Sequence, residues 1–225
     1  MIKSDDDINY AELPFLVLHK RKALPQKILK AGSVAFRQQK TGRHNADYFG
    51  CPGPGEMGRF NDPSMNYEVW FGAEHPSGAM AESFGRIHWP KARGIGVVLN
   101  ATDLEKYDMC TMAMTRDLVL LDLKLCLTKL GLAIDEISNP DYRLTQAIVK
   151  AVTQLPGCPF DGIAYESRHH PDGRSCYALW KKPGDASLVS TTQMTKLSRF
   201  QILESGSVFD AEEIMTETLG YRITG

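Results

Sequence analysis

Three short segments carry groups that could do chemistry together: Gly58-Arg59-Phe60-Asn61, Ala79-Met80-Ala81-Glu82, and Asp161-Gly162-Ile163-Ala164-Tyr165-Glu166-Ser167-Arg168. The Arg59 guanidinium is a permanent cation whose paired donors match phosphate oxygens. Gly58 would let a ligand approach, and Phe60 could stack on a flat ring. Glu82 offers a carboxylate to a sugar that gains positive charge as its glycosidic bond breaks. Ser167 follows a short strand-like run, where its hydroxyl could donate to a phosphate or an amide; no Gly-x-Ser-x-Gly elbow marks it as a nucleophile. One cation, one carboxylate and one hydroxyl suit an anionic nucleotide that is cleaved at its sugar. Taken singly, none of the three rises above its bland alternative: Arg59 paired with Asp62 at the surface, Glu82 paired one turn on with Arg86, Ser167 satisfying loop backbone. Arg37 is a second phosphate cation or a strand-edge charge. His169-His170 beside Asp172 suggests a metal, but adjacent histidines do not share a helical face, and no metal site is expected. Trp70, Trp89 and Trp180 read as core.

The elements that must position these groups are mixed. Residues 1–30 read as an N-terminal arm: an acidic start, an apolar Leu13-Pro14-Phe15-Leu16-Val17-Leu18, then the basic His19-Lys20-Arg21-Lys22. Ser33–Arg37 looks like a first strand. Residues 40–66 are rich in Gly, Pro, Asn and Asp, and so long an irregular loop reads as the wall or lid of a site. Tyr67–Ala73 is strand-like, with Tyr67 and Phe71 on one face by period two. Pro76 and Ser77 open a helix through Glu82. Gly96–Leu99 and Leu118–Leu123 read as strands, the second central. A helix follows Asn139-Pro140 with Leu144, Ile148, Val152 and Leu155 on one face, then strands over Gly162–Tyr165, Cys176–Trp180 and Leu197–Leu203. Asp210 with Glu213 opens a last short helix. Strands and helices without regular βαβ alternation imply a mixed α+β domain over residues 31–225. Neither a Gly-x-Gly-x-x-Gly turn nor a Walker loop is present.

The 225 residues are 43% hydrophobic and 24% charged, with net charge -1. That excludes a global attraction to nucleic acid or anionic membrane, so anion binding must rest on a few placed cations. The five cysteines, Cys51, Cys110, Cys126, Cys158 and Cys176, are widely spaced and read as reduced, mostly buried thiols. Met1–Asp7 is too acidic for a signal or transit peptide, and no apolar run is long enough to span a bilayer. The expectation is a cytoplasmic protein.

In order and spacing these segments resemble the RES-domain family, named for an Arg, a Glu and a Ser spread over one domain. The likeness runs from about residue 33 to 190. It comprises Gly58-Arg59-Phe60-Asn61, Trp70-Phe71-Gly72-Ala73 leading to Glu82, Asp122-Leu123, and Asp161 to Ser167. The resemblance implies an ADP-ribosyltransferase-like fold of two small curved β-sheets with flanking helices. It also implies a bacterial toxin that depletes NAD by phosphorolysis or hydrolysis, some relatives modifying a protein instead. Arg59, Glu82 and Ser167 become the catalytic set: Arg59 and Arg37 on the pyrophosphate, Glu82 on the ribosyl cation, Ser167 on nicotinamide or an incoming phosphate. Phe60, Asn61, Tyr67 and Phe71 join Arg37 in holding the nucleotide. Phe71 stands where the family often has Tyr. NAD is then substrate, inorganic phosphate a co-substrate, and no further cofactor is needed. A helix-turn-helix antitoxin is the implied partner, and a homo-oligomer stays open. The alternatives are a mono-ADP-ribosyltransferase acting on a protein, a non-catalytic nucleotide-binding module, or an interaction subunit.

Overall fold

The computed structural model describes residues 13–88, 96–170 and 172–225. Residues 1–12 of the expected arm, the side chain of Arg86, and Trp89 lie outside the described residues. A short helix α1 (Phe15–Lys20) leads to strand β1 (Gln26–Leu29) and then β2 (Val34–Lys40). The loop that follows holds one 3-10 turn, Pro54–Glu56, before β3 (Glu68–Ala73) runs into helix α2 (Pro76–His88). Next come β4 (Val98–Asn100), β5 (Tyr107–Met114) and β6 (Leu118–Asp122), then helices α3 (Leu123–Leu130), α4 (Ile134–Ile137) and α5 (Arg143–Thr153). Strands β7 (Gly162–Glu166), β8 (Ser175–Lys181) and β9 (Val189–Lys196) precede a hairpin of β10 (Gln201–Glu204) and β11 (Ser207–Asp210). Helix α6 (Ala211–Glu213) continues as a π turn, Ile214–Thr218, and β12 (Arg222–Thr224) follows.

Eight strands share one sheet in the order β1-β6-β7-β8-β3-β2-β5-β9. All its pairings are antiparallel except β6 with β7. The join between β3 and β2 is a single pair, Phe36 with Ala73. Farther along the same edge, β3 bridges Gly50 of the long loop through Val69 instead. The sheet is therefore two parts, of five and three strands, that separate after one contact. The domain is of the mixed α+β kind expected, and the site lies where the two parts of the sheet separate.

Period-two alternation sorts the side chains of the five-strand part into two cores. Cys176, Ala178 and Trp180 of β8 join the larger core, with Ile163 and Tyr165 of β7 and Val69 and Ala73 of β3. Tyr177, Leu179, Ala164 and Trp70 face the smaller one. Helices α2, α3 and α5 pack on the larger core through Met80, Phe84, Cys126, Leu127, Leu144, Ile148 and Val152. That α5 face matches the helical spacing read in the sequence. At the C-terminal end, Asp210 and Glu213 make the expected reciprocal cap, Glu213 N donating to Asp210 Oδ1 and Asp210 N to Glu213 Oε2.

Several expectations are corrected. The segment read as an arm is built into the domain from residue 13 onward: Phe15 and Leu24 are buried in the larger core, and Gln26–Leu29 pairs with β6 as the edge strand. Strand β6 is thus second from the edge, not central. It ends at Asp122, whose side chain caps α3 by accepting from Leu125 N. The strand expected over Leu197–Leu203 is interrupted: Leu197–Arg199 forms a 3-10 turn that buries Leu197, and pairing resumes at Gln201.

Candidate active site

The loop carrying Arg59 is fixed before the guanidinium is placed. Gly58 N donates to Asn61 Oδ1 at 2.8 Å and Trp180 Nε1 donates to the Phe60 carbonyl at 3.2 Å. Phe60 is fully buried, with its ring 4.4 Å from that of Tyr165. The Arg59 guanidinium lies 4.9 Å from the Phe60 ring centre and 4.8 Å from the Tyr165 ring centre. It is only 7% exposed, so its charge needs a partner. That partner is Glu82, with Arg59 Nη2 3.5 Å from Oε2. Asp62 accepts instead from Ser64 N and Asn66 N within its own turn.

Glu82 is the meeting point. Helix α2 turns Ala79, Met80 and Phe84 into the core, which leaves Glu82 toward the gap between the two sheet parts. Ser167 Oγ donates to Glu82 Oε1 at 2.7 Å and Tyr165 OH to Oε2 at 3.4 Å. Burial, then the Glu82 charge, push the Tyr165 phenol well above its ordinary pKa, so it stays a donor. Ser167 Oγ in turn accepts from His169 N at 3.2 Å. The three residues named from the sequence therefore converge on one carboxylate.

Around them lies a cavity of about 770 Å³, within the size range of small-molecule sites. Its walls include four arginines, Arg37, Arg43, Arg59 and Arg168, against two glutamates, Glu56 and Glu82, so it favours an anionic ligand. Phe60, Asn61 and Phe71 line it as expected, and the long loop supplies one wall from Arg43 to Asn61. Arg37 extends from β2 and donates through Nη1 to the carbonyls of Tyr48 at 3.2 Å and Ala46 at 3.4 Å.

Two expected residues stand elsewhere. Ser167 is 2% exposed and sits behind Glu82, outside the cavity wall. Its hydroxyl is turned to the Glu82 carboxylate. Tyr67 lines a separate hollow with Asp62 and Thr153, its hydroxyl 3.6 Å from Cys158 Sγ. Strand β3 begins at Glu68, so the alternation that would put Tyr67 beside Phe71 does not reach it.

Sequence reading missed Tyr165, Arg168, His169, Arg43 and Tyr48. Tyr165 had a signal: it stands two residues before Ser167, near the end of the strand β7 that leads to it. Arg168 donates to the Ser138 carbonyl, to Tyr142 OH and, through Nε, to His169 Nε2 at 3.2 Å. His169 packs its ring on Gly85 of α2, where a methyl group would fall 2.5 Å from Cγ. Burial lowers the His169 pKa, Glu82 opposes it, and the Arg168 and Arg59 charges push the same way as burial, so the ring is neutral near pH 7. His170 Nε2 lies 3.3 Å from Asp172 Oδ2, and no group of three metal-binding side chains occurs among the described residues.

Comparison with known proteins supports the same arrangement of the chain. A family model described as the RES domain matches residues 34–199. Among solved structures, one described as the Mycobacterium tuberculosis MbcT-MbcA toxin-antitoxin complex has a chain of similar fold. The TM-score is 0.55 and the identity 16%, over 86% of this chain and 92% of that one. No curated protein sequence matches the chain.

Proposed function

The chain belongs to the RES-domain family, and from that premise we propose that it cleaves the nicotinamide–ribose bond of NAD. The observation that carries this reading is the convergence of Arg59, Ser167 and Tyr165 on Glu82 at the edge of an arginine-rich cavity. In the reaction the C–N electron pair leaves with nicotinamide, which departs neutral, and C1″ of the ribose becomes cationic. A carboxylate held beside C1″ stabilises that charge only as it develops. At about 4 Å and an effective dielectric near 20 the attraction is roughly 4 kcal/mol, about a thousandfold in rate. Arg59 and Ser167 fix the position of the carboxylate, and buried Phe60 and half-buried Phe71 form apolar walls. Water attacking C1″ yields ADP-ribose and releases a proton; inorganic phosphate yields ADP-ribose 1″-phosphate.

The wider role we propose is that of an NAD-depleting toxin neutralised by an antitoxin protein. It rests on the family and on a fold shared with a chain of a toxin–antitoxin complex. Incubating the purified protein with NAD, with and without phosphate, and identifying the products by mass tests the chemistry. Loss of NAD with phosphate-dependent ADP-ribose 1″-phosphate marks phosphorolysis, and ADP-ribose alone marks hydrolysis. Transfer to an added protein would mark a mono-ADP-ribosyltransferase. NAD that persists for hours while stabilising the fold would mark a non-catalytic binder.

A further inference from the structure

Building on the reading that the cavity takes a dinucleotide, with Arg37 on its diphosphate as the family resemblance implies, we infer that Arg43 of the long loop, stacked with Arg37 on the ring of Tyr48, is the second cation of that subsite, and that Arg59 is not. The Arg37 guanidinium lies 4.2 Å from the Tyr48 ring centre and that of Arg43 lies 4.5 Å from it. Among the described residues neither has a carboxylate within ion-pair distance, whereas Arg59 is already paired with Glu82. Two like charges on one ring repel, and a ligand with a negative charge for each removes that cost. Burial lowers the Arg37 pKa, Tyr48 opposes it, and the nearby Arg43 charge lowers it further.

The platform is built in advance. Trp70 Nε1 donates to the Ala46 carbonyl at 2.8 Å, Ala46 N donates to Thr191 Oγ1 at 2.8 Å, and Gln39 Nε2 donates to the Asn45 carbonyl at 3.2 Å. Ala46 is fully buried. The segment between Arg43 and Tyr48 is thereby tied to β2, β3 and β9 at once. A planar guanidinium stacked on a ring presents its edge to phosphate oxygens; Arg37 uses Nη1 on the Tyr48 and Ala46 carbonyls, which fixes its orientation. Arg37 provides the inner cation on the strand, half-buried, and Arg43 the outer, exposed one on the loop. A diphosphate could bridge them while the nicotinamide end extends toward Glu82.

The test compares NAD with nicotinamide riboside, which has the same scissile bond and no phosphate, and uses inorganic pyrophosphate as a probe. Arg43→Ala is expected to raise KM for NAD and the inhibition constant of pyrophosphate about tenfold, with kcat changed far less, the penalty shrinking as salt rises. Its effect on kcat/KM for the riboside should be several-fold smaller. Arg43→Lys should recover part of the loss, and Tyr48→Leu should reproduce it with both arginines present. Equal losses on NAD and riboside, or no loss on NAD, would overturn the subsite. If the wild type consumes neither compound, the proposed function fails on its own. Thermal stabilisation by pyrophosphate then decides the subsite: present in wild type and lost in Arg43→Ala supports it, while equal or absent shifts overturn it.

Discussion

Ser167 Oγ donates to Glu82 Oε1 at 2.7 Å across 85 residues of chain, and that bond fixes which way the carboxylate faces. A hydroxyl bound to a charged acceptor contributes about 1.5–3 kcal/mol, and losing that orientation costs roughly 10- to 100-fold in rate. Ser167→Ala is therefore expected to lower kcat by that factor with little change in KM for NAD. Nicotinamide release measured by chromatography checks it. A serine that bound the substrate would raise KM instead.

Glu82→Gln keeps the size of the side chain and much of its hydrogen bonding but removes the charge. The loss of roughly 4 kcal/mol of transition-state attraction predicts a drop in kcat of about a thousandfold. NAD should still stabilise the variant in thermal unfolding. Nicotinamide release at the wild-type rate would remove Glu82 from the mechanism.

Acid should destabilise the fold through two histidines. Burial lowers the pKa of His169 and, with Arg174 adding to it, that of His75. Each is neutral in the folded state at a pH where the unfolded chain, with a value near 6.5, already takes up a proton. The unfolded state binds more protons there, so stability rises with pH across this window and is lost as pH falls below about 6.5. Chemical denaturation between about pH 5 and 8 should show that slope, and His169→Gln should flatten it.

The three site residues were legible because each sits in a segment whose neighbours are also constrained: Asn61 closes the Arg59 turn, Ala79 and Met80 set the helix face of Glu82, and Gly162 and Ile163 set the strand that leads to Ser167. What escaped has no local signature. Strand β5 buries Asp108, Met109 and Cys110 in succession because a core lies on each of its faces, Met109 in the larger and Cys110 and Met112 in the smaller. Strand β9 is mostly Ser, Thr and Gln and reads as loop; its strand form comes from pairing with β5. The Arg43–Tyr48–Arg37 stack depends on Trp70 and Thr191 holding Ala46, contacts 24 and 145 residues apart in sequence. Ser167 was legible as a site residue, but its place behind Glu82 is set by the helix–strand packing, which a motif does not carry.

The Asp161-Gly162 pair is a structural part of the motif. Asp161 accepts from Val119 N at 2.9 Å and pairs with Arg116 through Nη2 at 2.6 Å, on the far end of β7 from Ser167. Asp161→Ala should cost about 1–3 kcal/mol of stability by leaving a backbone donor unpaired. KM and kcat of the folded fraction should not change. Urea denaturation alongside steady-state rates checks both, and a large loss of kcat at full folding would give Asp161 a role in the site.

Two glycine-to-alanine changes separate packing of the fold from packing of the site. At Gly162 a methyl group would lie 2.2 Å from the Ala178 carbonyl oxygen and 3.0 Å from Leu179 Cα. Both are backbone atoms of the neighbouring strand β8, so the sheet itself must shift. Gly162→Ala is expected to destabilise by about 1–3 kcal/mol or more, as overpacking does. At Gly85 the methyl would meet the His169 side chain at its root, 2.5 Å from Cγ and 2.8 Å from both Cβ and Nδ1. Turning the ring does not relieve the contact with Cβ, so the segment at His169 must move off α2, against which alanine inside the helix recovers up to about 1 kcal/mol over glycine. Gly85→Ala should therefore cost less stability than Gly162→Ala but lose activity, because the displaced residue belongs to the cavity wall and its backbone N–H bonds Ser167. A Gly85→Ala protein with full activity would mean that the His169 ring has no part in holding the ligand.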